Sequence, residues 1–191
     1  MSFWKKKDNL IITGFVVLFF IGLSAWFDLC YVRAAFSPVG SAGGAFAIPF
    51  VDQNQNQLSL DEFKGKPLVV NMWATWCPVC VKKMAGLNRF AAKFKAGGGE
   101  VLAISQDRGG ISTVSNYYTR NGYNNLPIYI DATGQLLGAF GGKGLPTSIF
   151  IDAQGNEVGR IEGGVDWESD AMNSMVEDYF GIKIPQENQP H

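Results

Sequence analysis

The chain has 191 residues with a formal net charge of −1, and 47% of them are hydrophobic against 17% charged. That length suits one domain with a short extra segment. A near-neutral chain argues against a nucleic-acid binder, which needs a basic stripe to neutralise phosphates. The 23 glycines fall at apparent turns with no repeating period, and the single histidine, His191, is the last residue.

Lys5, Lys6 and Lys7 precede an uncharged run from Asn9 to Phe27 that is strongly apolar from Leu10 onward and is closed by Asp28. As a helix, Leu10 to Phe27 rises about 27 Å, which with flanking aromatics spans a hydrocarbon core of about 30 Å. Trp4 and Trp26 stand where interfacial rings sit, and three lysines before the run against Arg33 alone after it put the N-terminus in the cytoplasm. The chain therefore divides into a cytoplasmic segment over 1–9, a transmembrane anchor over 10–28, a linker over 29–44, a domain over 45–182 and a polar tail over 183–191. A cleaved signal peptide is the competing reading, since Val32-Arg33-Ala34 offers a cleavage pattern. The apolar run is, however, longer than the roughly 7–15 residues of a signal core. Leu29 is too bulky to precede a lipidated cysteine, so Cys30 is a boundary thiol with no assigned role. Ser37 to Gly44 reads as a flexible tether.

Within the domain, Ala45 to Val51 is a short extended stretch, Gln53 to Gln57 a polar turn, and Leu58 to Leu60 its return strand. A helical turn follows at Asp61 to Phe63. Pro67 to Trp73 is a short apolar run rich in β-branched residues, as in a central buried strand. Val79 to Lys95 has apolar residues at helical spacing and stops at Gly97-Gly98-Gly99. Glu100 to Ser105 is a second buried strand, Ile111 to Arg120 a helix stopped by Asn121-Gly122, Ile128 to Asp131 a strand, and Gln135 to Phe140 a short helix. Thr147 to Asp152 and Glu157 to Glu162 form a hairpin, and Trp167 to Phe180 is a closing helix. This order predicts a three-layer α/β domain with a mixed sheet.

Cys77-Pro78-Val79-Cys80 follows the first central strand and opens a helix. Cys77 at the helix N-terminus meets unpaired N–H groups and the positive end of the macrodipole, both of which favour a thiolate. Pro78 suits the first turn, where its missing N–H has no intrahelical role. Cys80, one turn on, is close enough to form a Cys77–Cys80 disulfide, and its inward side chain makes it the less accessible sulfur. Exchange then runs by attack of Cys77 on a substrate disulfide and resolution by Cys80. Tetrahedral zinc needs four ligands, and the domain has neither a second cysteine pair nor a histidine. Monovalent copper on two thiolates stays as a minor alternative. No metal and no cofactor is expected.

Val69 to Cys80 (Val-Val-Asn-Met-Trp-Ala-Thr-Trp-Cys-Pro-Val-Cys) resembles the active-site run of the membrane-anchored TlpA/ResA branch of the thioredoxin superfamily. Gly144 to Asp152, with Gly155 after it, resembles that branch's second signature. The resemblance covers about residues 45 to 182 and implies a thioredoxin-like fold. It also implies that Pro146 is a cis-proline beside the redox pair and that the preceding backbone, at Leu145, pairs with an extended substrate. Asn71 takes the place of the buried acid that handles protons in ordinary thioredoxins, or is a satisfied buried amide. Trp76 matches the aromatic next to the nucleophile, a docking surface, whereas Trp73 packs. Some members place a glutamate near the dithiol on an inserted segment. No equivalent is recognisable here; Asp107 is a substitute or a cap for the next helix. Lys82 and Lys83 either help lower the Cys77 pKa or form a solvated face.

The expected activity is that of a protein disulfide reductase on the periplasmic side of a bacterial inner membrane. The resemblance implies protein thiol or disulfide substrates in cytochrome c or cytochrome oxidase biogenesis, and a membrane thiol transporter as electron donor. A disulfide oxidase or isomerase and a copper carrier for respiratory assembly are the alternatives.

Overall fold

The computed structural model describes residues 43–185. The expected anchor over 10–28, Cys30 and His191 lie outside the described residues. Among the described residues no helix is long and apolar enough to cross a membrane.

Seven strands form one mixed sheet. In chain order they are β1 (Phe50–Asp52), β2 (Gln57–Leu58), β3 (Leu68–Trp73), β4 (Glu100–Ser105), β5 (Tyr129–Ile130), β6 (Thr147–Ile151) and β7 (Glu157–Glu162), arranged β2-β1-β5-β4-β3-β6-β7. Among the described residues the α-helices are α1 (Pro78–Ala96), α2 (Gly110–Asn121), α3 (Gln135–Ala139) and α4 (Asp170–Phe180). β3, β4 and β5 run parallel, while β6 is antiparallel to β3 and β7 to β6. All six residues of β3 are buried, as a strand covered on both faces requires.

Side chains alternate along β3, so each face of the sheet has its own core. Val69 and Trp73 join one cluster with Met84, Leu87, Phe90 and Phe94 of α1, Val114 and Tyr118 of α2, and Met172 and Val176 of α4. Leu68, Val70 and Met72 join the other, with Phe50, Leu60, Phe63 and Leu136. α1 ends at Gly97, whose N–H returns to the Lys93 carbonyl, where a Cβ would lie 2.3 Å from Ile182 Cγ2. On the far edge, Arg160 pairs with the buried Glu157 through two nitrogens and donates to the Phe140 carbonyl, which ties the end of α3 to β7.

Three expected elements take a different form. Ala45–Ala47 is a 3-10 turn rather than extended chain, because the turn swings Ala45 and Phe46 into the second core. The return strand stops at Leu58, because Ser59 and Glu62 close a capping box that starts a 3-10 turn at Leu60. α4 begins at Asp170 rather than Trp167, because its N-cap is Ser169, whose hydroxyl accepts from the Met172 N–H.

The β1–β2 and β6–β7 turns are built alike. Asp52 Oδ1 accepts from the Asn54 and Asn56 N–H groups, and Asp152 Oδ1 from those of Gln154 and Asn156. The fourth position is left-handed in both, at Gly155 with φ 87° and at Gln55 with φ 66°. A side chain there meets the following carbonyl, at a cost a glycine avoids. Gln55→Gly is therefore expected to stabilise the domain by about 0.5 kcal/mol, net of the extra freedom glycine gives the unfolded chain. A urea midpoint that falls instead contradicts this reading.

Candidate active site

β3 and β4 end side by side, with Trp73 opposite Ser105. Their parallel pairing delivers two loops to one edge of the sheet. The first, Ala74 to Cys77, leads into α1, and the second, Gln106 to Gly109, leads into α2.

Cys77 is the N-cap of α1, with extended backbone at φ −92° and ψ 107°; Pro78 follows in the first helical turn. The Cys77 Sγ accepts from the Cys80 N–H at 3.2 Å, so the sulfur sits where an N-cap oxygen normally does. The pair is joined as a disulfide with Cα atoms 5.2 Å apart, inside the usual range for such bonds. Both residues are nearly covered, Cys77 at 5% exposure and Cys80 at 2%, while Trp76 and Val79 beside them are 64% and 48% exposed. Two nearly covered sulfurs thus lie between open apolar side chains.

Asn71 lies two residues short of this edge on β3. It is buried, and its Nδ2 donates to Ser148 Oγ at 2.9 Å across the β3–β6 pair. The Leu145–Pro146 peptide is cis, and Pro146 accepts the Gly163 N–H through its carbonyl at 2.8 Å. A cavity of about 10 Å³ adjoins Cys80, lined also by Asn71, Lys83, Met84, Pro146, Ser148, Gly164 and Trp167. The fold thus brings Cys77, Cys80, Asn71, Pro146 and the Leu145 backbone to one place, with Trp76 and Pro78 on the outer rim.

Asp107 takes a position that sequence reading missed. Its carboxylate accepts from the Thr75 N–H at 2.9 Å, from Thr75 Oγ1 at 2.6 Å and from Ser105 Oγ at 2.7 Å. These bonds fasten the cysteine loop to the end of β4 and engage the carboxylate that would otherwise cap α2. Thr75 and Asp107 are 32 positions apart, so only the strand pairing reveals the bond. Trp73 is fully buried under this loop and stacks on Tyr118 with ring centroids 5.8 Å apart and planes 7° apart. Burial raises the Tyr118 pKa, and burial with Tyr123 alongside lifts Tyr117 to about 12. These phenols stay neutral through the physiological range and serve as packing. Lys83 is half-buried on the cavity wall rather than on a solvated face. Among the described residues no group of three or more acids, cysteines or histidines could hold a metal ion.

A mixed-sheet thioredoxin-like fold that sets a C-x-x-C pair at a helix N-terminus, beside a cis-proline turn, defines a thiol–disulfide oxidoreductase. The chain belongs to the Redoxin family, whose model matches residues 38–177. It is 30% identical to the thiol-disulfide oxidoreductase ResA of Halalkalibacterium halodurans over 186 residues, covering 96% of each chain. It is 28% identical to ResA of Bacillus subtilis over 183 residues, covering 96% of this chain and 98% of that one. Among solved structures, a thioredoxin-family thiol:disulfide interchange protein from Chlorobium tepidum aligns at 29% identity and a TM-score of 0.57, over 73% of this chain and 96% of the other. The exposed lipoprotein thioredoxin Etrx1 of Streptococcus pneumoniae aligns at 26% identity and a TM-score of 0.57, over 69% and 98%.

Proposed function

We propose that the protein is a membrane-anchored disulfide reductase that works outside the cytoplasmic membrane on proteins of cytochrome c or cytochrome oxidase assembly. The observation that carries this reading is the pairing of two nearly covered sulfurs with the open Trp76 and Val79 side chains, a surface suited to a protein disulfide. The apolar run over 10–28 supports an anchor, with the domain over 45–182 tethered outside by 29–44 and followed by a polar tail over 183–191. The exposed-lipoprotein description of the pneumococcal neighbour points to the same compartment.

In this mechanism the Cys77 thiolate attacks one sulfur of a substrate disulfide, and the other substrate sulfur leaves as a thiolate and takes a proton. Cys80 loses its proton and attacks Cys77 Sγ. The Cys77–Cys80 bond forms and the second substrate thiol departs. The substrate gains two electrons, and the protein is left as the disulfide. Trp76 and Val79 make the docking face, and Pro78 keeps the first turn of α1 in place. The Leu145 backbone ahead of Pro146 receives extended substrate chain, and Asn71 holds the floor beneath Cys80 through Ser148. In an oxidising compartment the dithiol is restored by a dedicated donor, for which a membrane thiol transporter is the class that fits.

The test is capture. Full-length Cys80→Ser, expressed in membranes, is expected to accumulate mixed disulfides through Cys77 with exported proteins that carry haem- or copper-binding cysteine pairs. Adducts confined to other classes of protein overturn the assembly role, and adducts recovered equally from Cys77→Ser overturn the order of attack.

A further inference from the structure

The cavity beside Cys80 has one ionisable side chain on its wall besides the cysteine, and that is Lys83. The lysine stem runs past Gly164. A Cβ at Gly164 would come 3.4 Å from Lys83 Cγ, 3.7 Å from its Cε and 2.7 Å from Val79 Cγ1. The remaining walls are apolar (Met84, Leu87, Val165, Trp167) or carry uncharged polar groups, the Asn71 amide and the Ser148 hydroxyl. Other charged groups on the elements around Cys80 do not line the cavity: Lys82, Arg108, Lys143, Glu162 and Asp166 are exposed, and Asp107 is engaged by Thr75 and Ser105. The volume, about 10 Å³, is that of about one water molecule.

We infer that Lys83 sets the readiness of the resolving thiol, its ammonium favouring the Cys80 thiolate across this cavity. The inference rests on the exchange mechanism proposed above and deepens it. Burial in an apolar setting disfavours a thiolate, and the Asn71 amide cannot take up its proton. A cation on the wall of the same small cavity offsets that penalty. The Cys80 proton then leaves to solvent by way of the cavity. When Cys80 attacks, its negative charge passes to the departing substrate sulfur, so the lysine aids the resolving step and is not consumed in it.

The test uses the full-length reduced protein and the chromogenic disulfide 5,5′-dithiobis(2-nitrobenzoate). Attack by Cys77 leaves a mixed disulfide, and its collapse by Cys80 releases a second coloured thiolate, followed against pH. Lys83→Met is expected to raise the midpoint of the collapse rate by about one pH unit, with roughly a tenfold loss of rate at neutral pH. Lys83→Glu raises it further, Lys83→Arg restores it, and Lys82→Met leaves it in place. An unchanged midpoint in Lys83→Met and Lys83→Glu overturns the inference, as does an equal shift in Lys82→Met. A wild-type mixed disulfide that never collapses overturns instead the exchange mechanism beneath it.

Discussion

Full-length Cys77→Ser is expected to lose disulfide exchange altogether, whereas Cys80→Ser keeps the first attack and loses turnover by about a thousandfold or more. The asymmetry follows from geometry. Cys77 is the N-cap sulfur and receives the Cys80 N–H, so helix dipole and hydrogen bond both act on it. Cys80 is the covered partner, 5.2 Å away between Cα atoms. Held so near, it resolves a mixed disulfide as an intramolecular step, with an advantage over free thiol of many orders of magnitude. Stopped-flow release of a first and a second thiolate separates the two steps. Equal loss of the first phase in both variants contradicts the assignment.

Asp107→Ala is expected to cost about 3 kcal/mol of stability and to slow exchange by roughly tenfold, because three hydrogen-bond donors lose their acceptor. The Asp107 carboxylate is the shared acceptor of the Thr75 N–H, the Thr75 hydroxyl and the Ser105 hydroxyl, and Asp107 is 3% exposed. Water cannot take over these bonds without opening the loop that carries Cys77 in front of α1. Thr75→Val removes one of the three bonds and is expected to cost about 1 kcal/mol. Urea unfolding with exchange rates measured on the same samples checks both. A fully stable Asp107→Ala with a slow first attack assigns the residue to chemistry rather than to anchoring the loop.

The strand and helix pattern was legible where local forces decide it. β3 reads from its β-branched run, α1 from helical spacing ended by three glycines, and the β6–β7 hairpin from the Ala153-Gln154-Gly155-Asn156 connection between its strands. Segments where long-range packing competes with local pattern read less well. Ala45 to Ala47 curls because Phe46 has a core to enter, which no neighbouring residue announces. The cysteine pair reads directly because its context, strand then helix, is contiguous in the chain. The cis peptide before Pro146 was indicated only by resemblance, since no spacing rule distinguishes the isomers. Asp107 and Lys83 were opaque for one reason: each takes its meaning from a partner brought near by the fold. For Asp107 that partner is Thr75 on the neighbouring loop; for Lys83 it is Gly164, past the far end of β7. In both cases the plainer reading, a helix cap or a solvated face, follows from the local sequence alone.

The direction of electron flow is the claim on which the proposed role stands, and the equilibrium potential of the Cys77–Cys80 pair tests it most directly. The measurement titrates the full chain against glutathione redox buffers, with the disulfide fraction read by alkylation and mass spectrometry of the peptide carrying both cysteines. A potential at or below about −230 mV, in the range of glutaredoxins and thioredoxin, is the result a reductase predicts. A potential near about −120 mV, that of a dedicated oxidant, contradicts it.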